Sequence, residues 1–162
     1  MRYIGVDVGK KRCQACIMDG EGVVIDEFPF DNTFNGIRRL LEQIGGENYK
    51  AVLESTGNLW LRIYEALEEH EVEVKLANPY KTKAIASARI KTDKLSARIL
   101  AHLLRADLIA ECYVSPGDVR MVNALLRQRA SLVRMRTMVK NRVHSLLDRY
   151  GYRSMWSDAF GV

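Results

Sequence analysis

Cysteine, histidine and long apolar runs are all scarce in this 162-residue sequence, and each scarcity excludes something. No stretch approaches the roughly 18 consecutive apolar residues that a membrane span needs, so no membrane partner is expected. The amino terminus enters a strand-like run without the positive-then-apolar pattern of a secretory signal. Three cysteines are an odd number, which argues against a disulfide framework, and a cytoplasmic protein is the expectation. Cys13 and Cys16 are spaced like a metal-binding pair. They fall on a predicted strand, however, where residues three apart face opposite sides. The histidines are only His70, His102 and His144, and no second cysteine pair completes a tetrahedral zinc site. Glycine and proline are both missing from residues 118–150, which predicts one long helix of roughly 45–50 Å.

Charge is unevenly spread. The formal net charge is +5, yet residues 1–80 carry 9 basic against 14 acidic side chains. Residues 81–116 carry 7 against 3, and residues 117–150 carry 8 against 2. An acidic front half and a basic back half suggest a polyanionic partner for the back half. A solvated helical face is the plainer explanation of a basic run taken alone.

The front half alternates short strand and helix signals. Arg2–Val8, Gln14–Met18 and Val23–Phe28 read as strands, the last two joined as a hairpin across Asp19–Gly22. Asp31 or Asn32 is placed to cap a helix over Gly36–Ile44, which Gly45 and Gly46 end. Tyr49–Leu53 is a fourth strand, and a helix follows from about Leu59 to Glu69. Val72–Leu76 is a fifth strand, broken at Asn78 and Pro79. Residues 80–107 read as basic and helical, with Thr92 as a cap and Ile99, Leu100, Leu103 and Leu104 on one face. The order β-β-β-α-β-α-β matches a ribonuclease H-like α/β core, a mixed sheet with the first strand central and the fourth beside it.

That order brings two acids to one edge of the sheet. Asp7 lies near the end of the first strand and Glu54 at the end of the fourth. Neighbouring carboxylates repel unless a cation or hydrogen bonds neutralise them. Alone, Asp7 reads as a turn cap and Glu54 as a surface residue, and their pairing is what suggests a site. In the long helix, Leu125, Leu132, Val139 and Leu146 recur every seven residues, flanked by Val122, Leu126, Val133, Val143 and Leu147. This is a coiled-coil or helical-hairpin seam. Its apolar stripe calls for a return helix or a second copy of the chain, so a homo-oligomer (dimer or higher) is expected. Arg120, Arg127 and Arg134 also recur every seven residues, as do Arg129 and Arg136, in rows beside the seam. Residues 153–162 read as the start of a returning element.

With these residues in view, the chain resembles the amino-terminal part of the DEDD transposases of insertion sequences. This is the family of the pilin-gene invertase and the bridge-RNA-guided recombinases. GVDVGK matches the first acid of that family at Asp7, LESTG the second at Glu54, and KTDKLSAR the third at Asp93. The arginine-rich run ALLRQRASLVRMRTMVKNRVHSLL is similar to the family's long helix. The resemblance implies a RuvC-like domain over 1–112 and a helical coiled-coil arm over 113–162. It implies Asp7, Glu54 and Asp93 as catalytic and metal ligands, holding Mg²⁺ or Mn²⁺ beside a scissile phosphate. It implies DNA and a non-coding guide RNA as partners. The expected nucleic-acid contacts are Lys91, Lys94, Arg98, Arg127, Arg129, Arg134, Arg136, Lys140 and Arg142. The family's fourth acid falls at Ser96, a serine here. Family members continue into a domain with a nucleophilic serine, so this chain is expected to hold half of a composite site, inactive alone. Two other readings are a non-catalytic RNA- or DNA-binding scaffold and an actin-like ATPase lobe, which shares the strand–Asp–x–Gly signature. The latter predicts a second such strand, which the sequence does not contain.

Overall fold

The computed structural model describes residues 1–45, 48–54, 57–85, 93–152 and 160. It divides into two compact units, Met1–Val114 and Ser115–Val162. The first unit is built on strands β1 (Arg2–Asp7), β2 (Arg12–Met18), β3 (Val24–Asp31), β4 (Tyr49–Glu54) and β5 (Glu73–Ala77). They form one mixed sheet in the order β3-β2-β1-β4-β5. β1 runs antiparallel to β2 and parallel to β4, which is parallel to β5. Helices α1 (Phe34–Ile44), α2 (Leu61–Glu69), α3 (Pro79–Ile85) and α4 (Asp93–Arg105) complete the unit.

Strand alternation sorts the core into two layers. Ile4 and Val6 of β1, with Val8 just past its end, pack with Ile37, Leu40 and Ile44 of α1 and with Ile63 and Leu67 of α2. The opposite face of the sheet carries Cys16 and Met18 against Ala97 and Ala101 of α4, and Val52 and Ala77 against Leu100 and Leu104. Central β4 is covered on both sides: Ala51, Val52 and Leu53 are fully buried. Each such valine or leucine contributes about 1.5–3 kcal/mol. Cys13 belongs to the first layer and Cys16 to the second, so the two thiols sit on opposite faces and cannot share a metal.

Several local choices differ from the sequence expectation for identifiable reasons. The α1 cap is Thr33, whose hydroxyl accepts from the Gly36 amide at 3.2 Å. Asn32 instead turns inward, its amide donating to the carbonyls of Gly9 (3.0 Å) and Leu59 (3.3 Å). Pro79 begins α3 instead of merely ending β5, because a first helical turn needs no proline amide. Asn78 Oδ1 caps that turn, accepting from the amides of Tyr80 and Lys81 at 3.0 and 3.3 Å. β3 extends through Pro29 to Asp31; it is an edge strand, where a missing amide is tolerated. The expected Thr92 cap lies outside the described residues.

α4 comes close to the sheet because Gly5 lets it. A Cβ at Gly5 would fall 2.1 Å from the carbonyl oxygen of Ala97 and 2.5 Å from the amide nitrogen of Ala101. Ala97 and Ala101 are themselves small, so backbone meets backbone. The helix is also tied to the edge strand by a fork of charge. Arg98 donates through Nε and Nη2 to the two carboxylate oxygens of Glu27, the second bond being 2.7 Å. The Arg98 hydrogen bonds hold Glu27 below the usual carboxylate range. Burial, reinforced by the Glu27 charge, pushes the neighbouring Cys16 thiol up to about 12.

The second unit is dominated by α5, Gly117–Arg149, 33 residues and about 50 Å long. Leu125, Leu132, Val139 and Leu146 are all exposed. Arg129 and Arg136 are seven residues apart and in line with Val122 and Val143. They share a heptad row with those two valines, next to the row of Leu125, Leu132, Val139 and Leu146. Of the returning segment expected over 153–162, only Phe160 is described. Its ring meets the His144 ring edge-on at 5.3 Å and the Lys140 ammonium at 5.0 Å.

Two outcomes are expected. Gly5→Val should cost at least about 1–3 kcal/mol in urea unfolding, the range for overpacking, while Gly20→Ala, whose Cβ would meet only the Met1 carbonyl oxygen at 3.9 Å, should cost little. Equal unfolding curves for both variants would mean that the α4 packing is not tight. Glu27 has a depressed value in the folded state. Its pairing therefore stabilises fully above the ordinary glutamate value of about 4.3 and ceases to do so as pH falls through the depressed one. Thermal unfolding of wild type and Arg98→Gln should show their stability gap at neutral pH and its closure in acid.

Candidate active site

The register of three strands places the two front-half acids. Val6 pairs with Leu53 at the end of the β1–β4 ladder, so Asp7 and Glu54 are the next residues on adjacent parallel strands, about 4.8 Å apart in backbone spacing. Gly5 faces α4, and so by alternation does Asp7. Val52 packs under α4, and so by alternation Glu54 points the same way. Glu54 is 8% exposed, Asp7 half-buried. Two carboxylates thus share one face at the carboxyl ends of neighbouring central strands.

α4 runs back over this edge. Leu104 lies with Tyr3, and Ala97 lies over Gly5, so the helix is antiparallel to β1. Its amino-terminal turn, from Asp93 to Ser96, therefore reaches the level of Asp7. Two helical rows divide there. Asp93 leads the row of Ala97 and Ala101, which packs toward β2, and Asp93 lines a cavity with Arg12, Gln14 and Pro29. Ser96 leads the row of Leu100 and Leu104, which packs toward Val52 and Ala77. Ala77 is the register partner of Glu54, so Ser96 stands on the Glu54 flank.

Ser96 is 3% exposed, and its hydroxyl oxygen has no hydrogen-bond partner among the described residues. Burying such a group unpaired is unfavourable, and its position at the acid edge gives it a polar neighbourhood to serve. Asp93 is exposed at the start of α4. Among the described residues, no three His, Cys, Asp or Glu side chains come together closely enough to hold a metal ion. The fold brings Asp7 and Glu54 side by side and sets Asp93 on the opposite flank of Asp7. All the oxygens on offer are hard donors, the kind that suits Mg²⁺ or Mn²⁺. The Asp7 charge also reaches Cys13, whose thiol is raised chiefly by burial and secondarily by that carboxylate.

The basic residues are placed in different ways. Lys94 is exposed beside Asp93. Lys91 lies outside the described residues. Arg98 spends its fork on Glu27. Arg127, Arg129, Arg134, Arg136 and Arg142 are exposed along α5, and Lys140 is half-buried against Phe160. Arg12 and Gln14, which the sequence reading did not single out, line the same cavity as Asp93, and the register sets Gln14, a polar residue inside the apolar run of β2, opposite Asp7.

No curated protein matches the sequence. Among solved structures, RuvC of Thermus thermophilus in complex with a Holliday junction substrate superposes with a TM-score of 0.50 at 11% identity, covering 69% of this chain and 99% of that one. A second Thermus thermophilus RuvC structure gives 0.49 at 13% identity, over 69% and 100%. At such identities the likeness shows the fold, a RuvC-type, ribonuclease H-like sheet. The family model described as transposase, of the DEDD type of IS110, matches residues 4–152. With nearly the whole chain matched, this protein belongs to the IS110-type DEDD transposase family.

Proposed function

We propose that the first unit is a metal-dependent nuclease domain of a DNA transposase and that α5 is its nucleic-acid arm. The observation that carries this reading is the placement of Asp7 and Glu54 side by side on the α4 face, under the helix that bears Asp93. Asp7 and Glu54 would hold Mg²⁺ or Mn²⁺, and Asp93 would complete the set from the β2 flank. A bound cation of this kind polarises a phosphate oxygen and lowers the pKa of bound water.

The remaining work falls to this chain's own side chains. Asp7, on the central strand, is paired with Gln14 of β2 and follows directly on the last β1–β4 pair, Val6 with Leu53, so its carboxylate is positioned by the backbone. Glu54, largely buried, excludes water from the β4 side. Ser96 brings a neutral oxygen where the family pattern has an acid, which lowers the negative charge on the Glu54 flank. Weak binding of a second cation follows. The arginines of α5 take the phosphates of DNA and a guide RNA, and the exposed seam joins copies of the chain. The functional division falls near residues 112–113. A scaffold without catalysis is the second reading, favoured by Ser96 and by the position of Asp93.

Two measurements decide. Calorimetry with Mn²⁺ should show binding lost in Asp7→Asn, by at least about tenfold, and tightened in Ser96→Asp. Binding by Asp7→Asn equal to that of the parent leaves only the scaffold. Separately, replacing Arg127, Arg129, Arg134 and Arg136 by glutamine should weaken DNA or RNA binding while the sheet stays folded. The slope of log affinity against log salt should flatten by roughly 0.7–0.9 for each phosphate that is no longer neutralised. An unchanged slope would remove the arm from the interface.

A further inference from the structure

We propose that the cavity between β2 and the start of α4 is a nucleotide subsite. It would take the unit of a single DNA strand next to the phosphate handled at the acid edge, and so rests on the reading of that edge given above. The cavity measures about 490 Å³ and is lined by Arg12, Cys13, Gln14, Pro29, Asp93 and Lys94. Asp7 pairs in register with Gln14 on one side and adjoins Glu54 on the other. The cavity therefore continues the acid edge away from Glu54.

Gln14 is the residue that calls for a ligand. It is 6% exposed, yet its amide nitrogen makes one long hydrogen bond, 3.4 Å to the Ala15 carbonyl oxygen. No other hydrogen bond holds its side chain among the described residues. A side-chain amide has two donor hydrogens and two acceptor lone pairs; the Gln14 oxygen accepts no hydrogen bond among the described residues and is open to solvent in the cavity it lines. The edge of a nucleobase offers both complements.

The other walls suit the rest of a nucleotide. Pro29 is in register with Gln14, which sets an apolar ring beside the amide. Arg12 lies two residues before Gln14 on the same face of β2, and Lys94 lies across from it on α4. Both are exposed, and neither is in an ion pair among the described residues. Two open cations at the rim fit a phosphate. The Asp93 carboxylate disfavours a phosphate at its own place on α4, which leaves that part of the wall to the base and the phosphate to Arg12 and Lys94. Waters filling the cavity are the competing explanation of Gln14, and they predict no effect of its replacement on DNA binding.

Fluorescence anisotropy of the full chain with dT, dA and dC homo-oligonucleotides, without divalent ions, tests the proposal. Gln14→Leu should keep the unfolding midpoint while losing about fivefold to a hundredfold in affinity for the preferred oligonucleotide, evening out the three. Arg12→Gln and Lys94→Gln should each flatten the salt slope by about 0.7. If Gln14→Leu does not fold, Gln14→Met, closer in shape, is read the same way. Parental affinity and preference in the folded Gln14 variant, or parental slopes in both cation variants, overturn the subsite. Because no divalent ion is present, that failure touches the subsite alone, whereas unaltered Mn²⁺ binding by Asp7→Asn overturns the acid edge.

Discussion

The meeting of α4 with the sheet at Gly5 is the constraint on which the rest of this unit depends. A helix normally stands about 10 Å from a sheet, held off by side chains on both surfaces. Here the strand contributes a glycine and the helix contributes Ala97 and Ala101, so the main chains themselves approach. Small residues at such a crossing give up apolar area. That loss is made good on either side, where Leu100 and Leu104 fill the space over β4 and β5 and Met18 fills it over β2. The close approach also sets the height of Asp93 and Ser96 above Asp7. A helix lifted by a side chain at position 5 would carry that turn away from the strand ends. The glycine two residues before the first acid is therefore part of the site as well as part of the core.

The strands were legible because their signals are local. Alternating or continuous apolar runs bounded by glycine give β1, β2 and β4 directly, and the match of their order to a ribonuclease H-like core makes the first strand central. The acids at the strand ends followed, since parallel neighbours end at the same edge. Three features were not legible. The choice of Thr33 over Asn32 as a cap depends on Asn32 finding the carbonyls of Gly9 and Leu59, which are distant in sequence. Arg98 reads as one of a basic series, yet its partner Glu27 is 71 residues away on an edge strand. Gln14 reads as a strand residue of no consequence until the register sets it against Asp7. In each case the deciding partner is remote along the chain.

Charge is partitioned between the two units in a way that suits a polyanion. The sheet unit gathers acids at one edge, where any bound phosphate needs a cation between it and the carboxylates. The arm carries arginines that, among the described residues, have few acids to answer them. Two of them, Arg129 and Arg136, share a heptad row with Val122 and Val143. An apolar interface cannot bury them without partners, because an unpaired charge there is costly. That row is thus apolar at its ends and charged between them, beside the wholly apolar row of Leu125, Leu132, Val139 and Leu146.

Ser96 makes the same point at the acid edge in reverse. An aspartate at that position would add a second carboxylate to the Glu54 flank, on the same helical turn that presents Asp93 to the other side. With Asp7 between Glu54 and Asp93, the added carboxylate would raise the repulsion along this edge, which bound cations or hydrogen bonds would have to offset. The serine relieves the repulsion and leaves a buried hydroxyl without a partner in exchange. The apo fold gains by the change, since neutral oxygen is cheaper to bury than carboxylate. A cation-bound edge would lose by it, because a carboxylate there would add an attraction that a neutral hydroxyl does not. At this one position, stability of the empty edge and affinity for a cation would therefore be opposed.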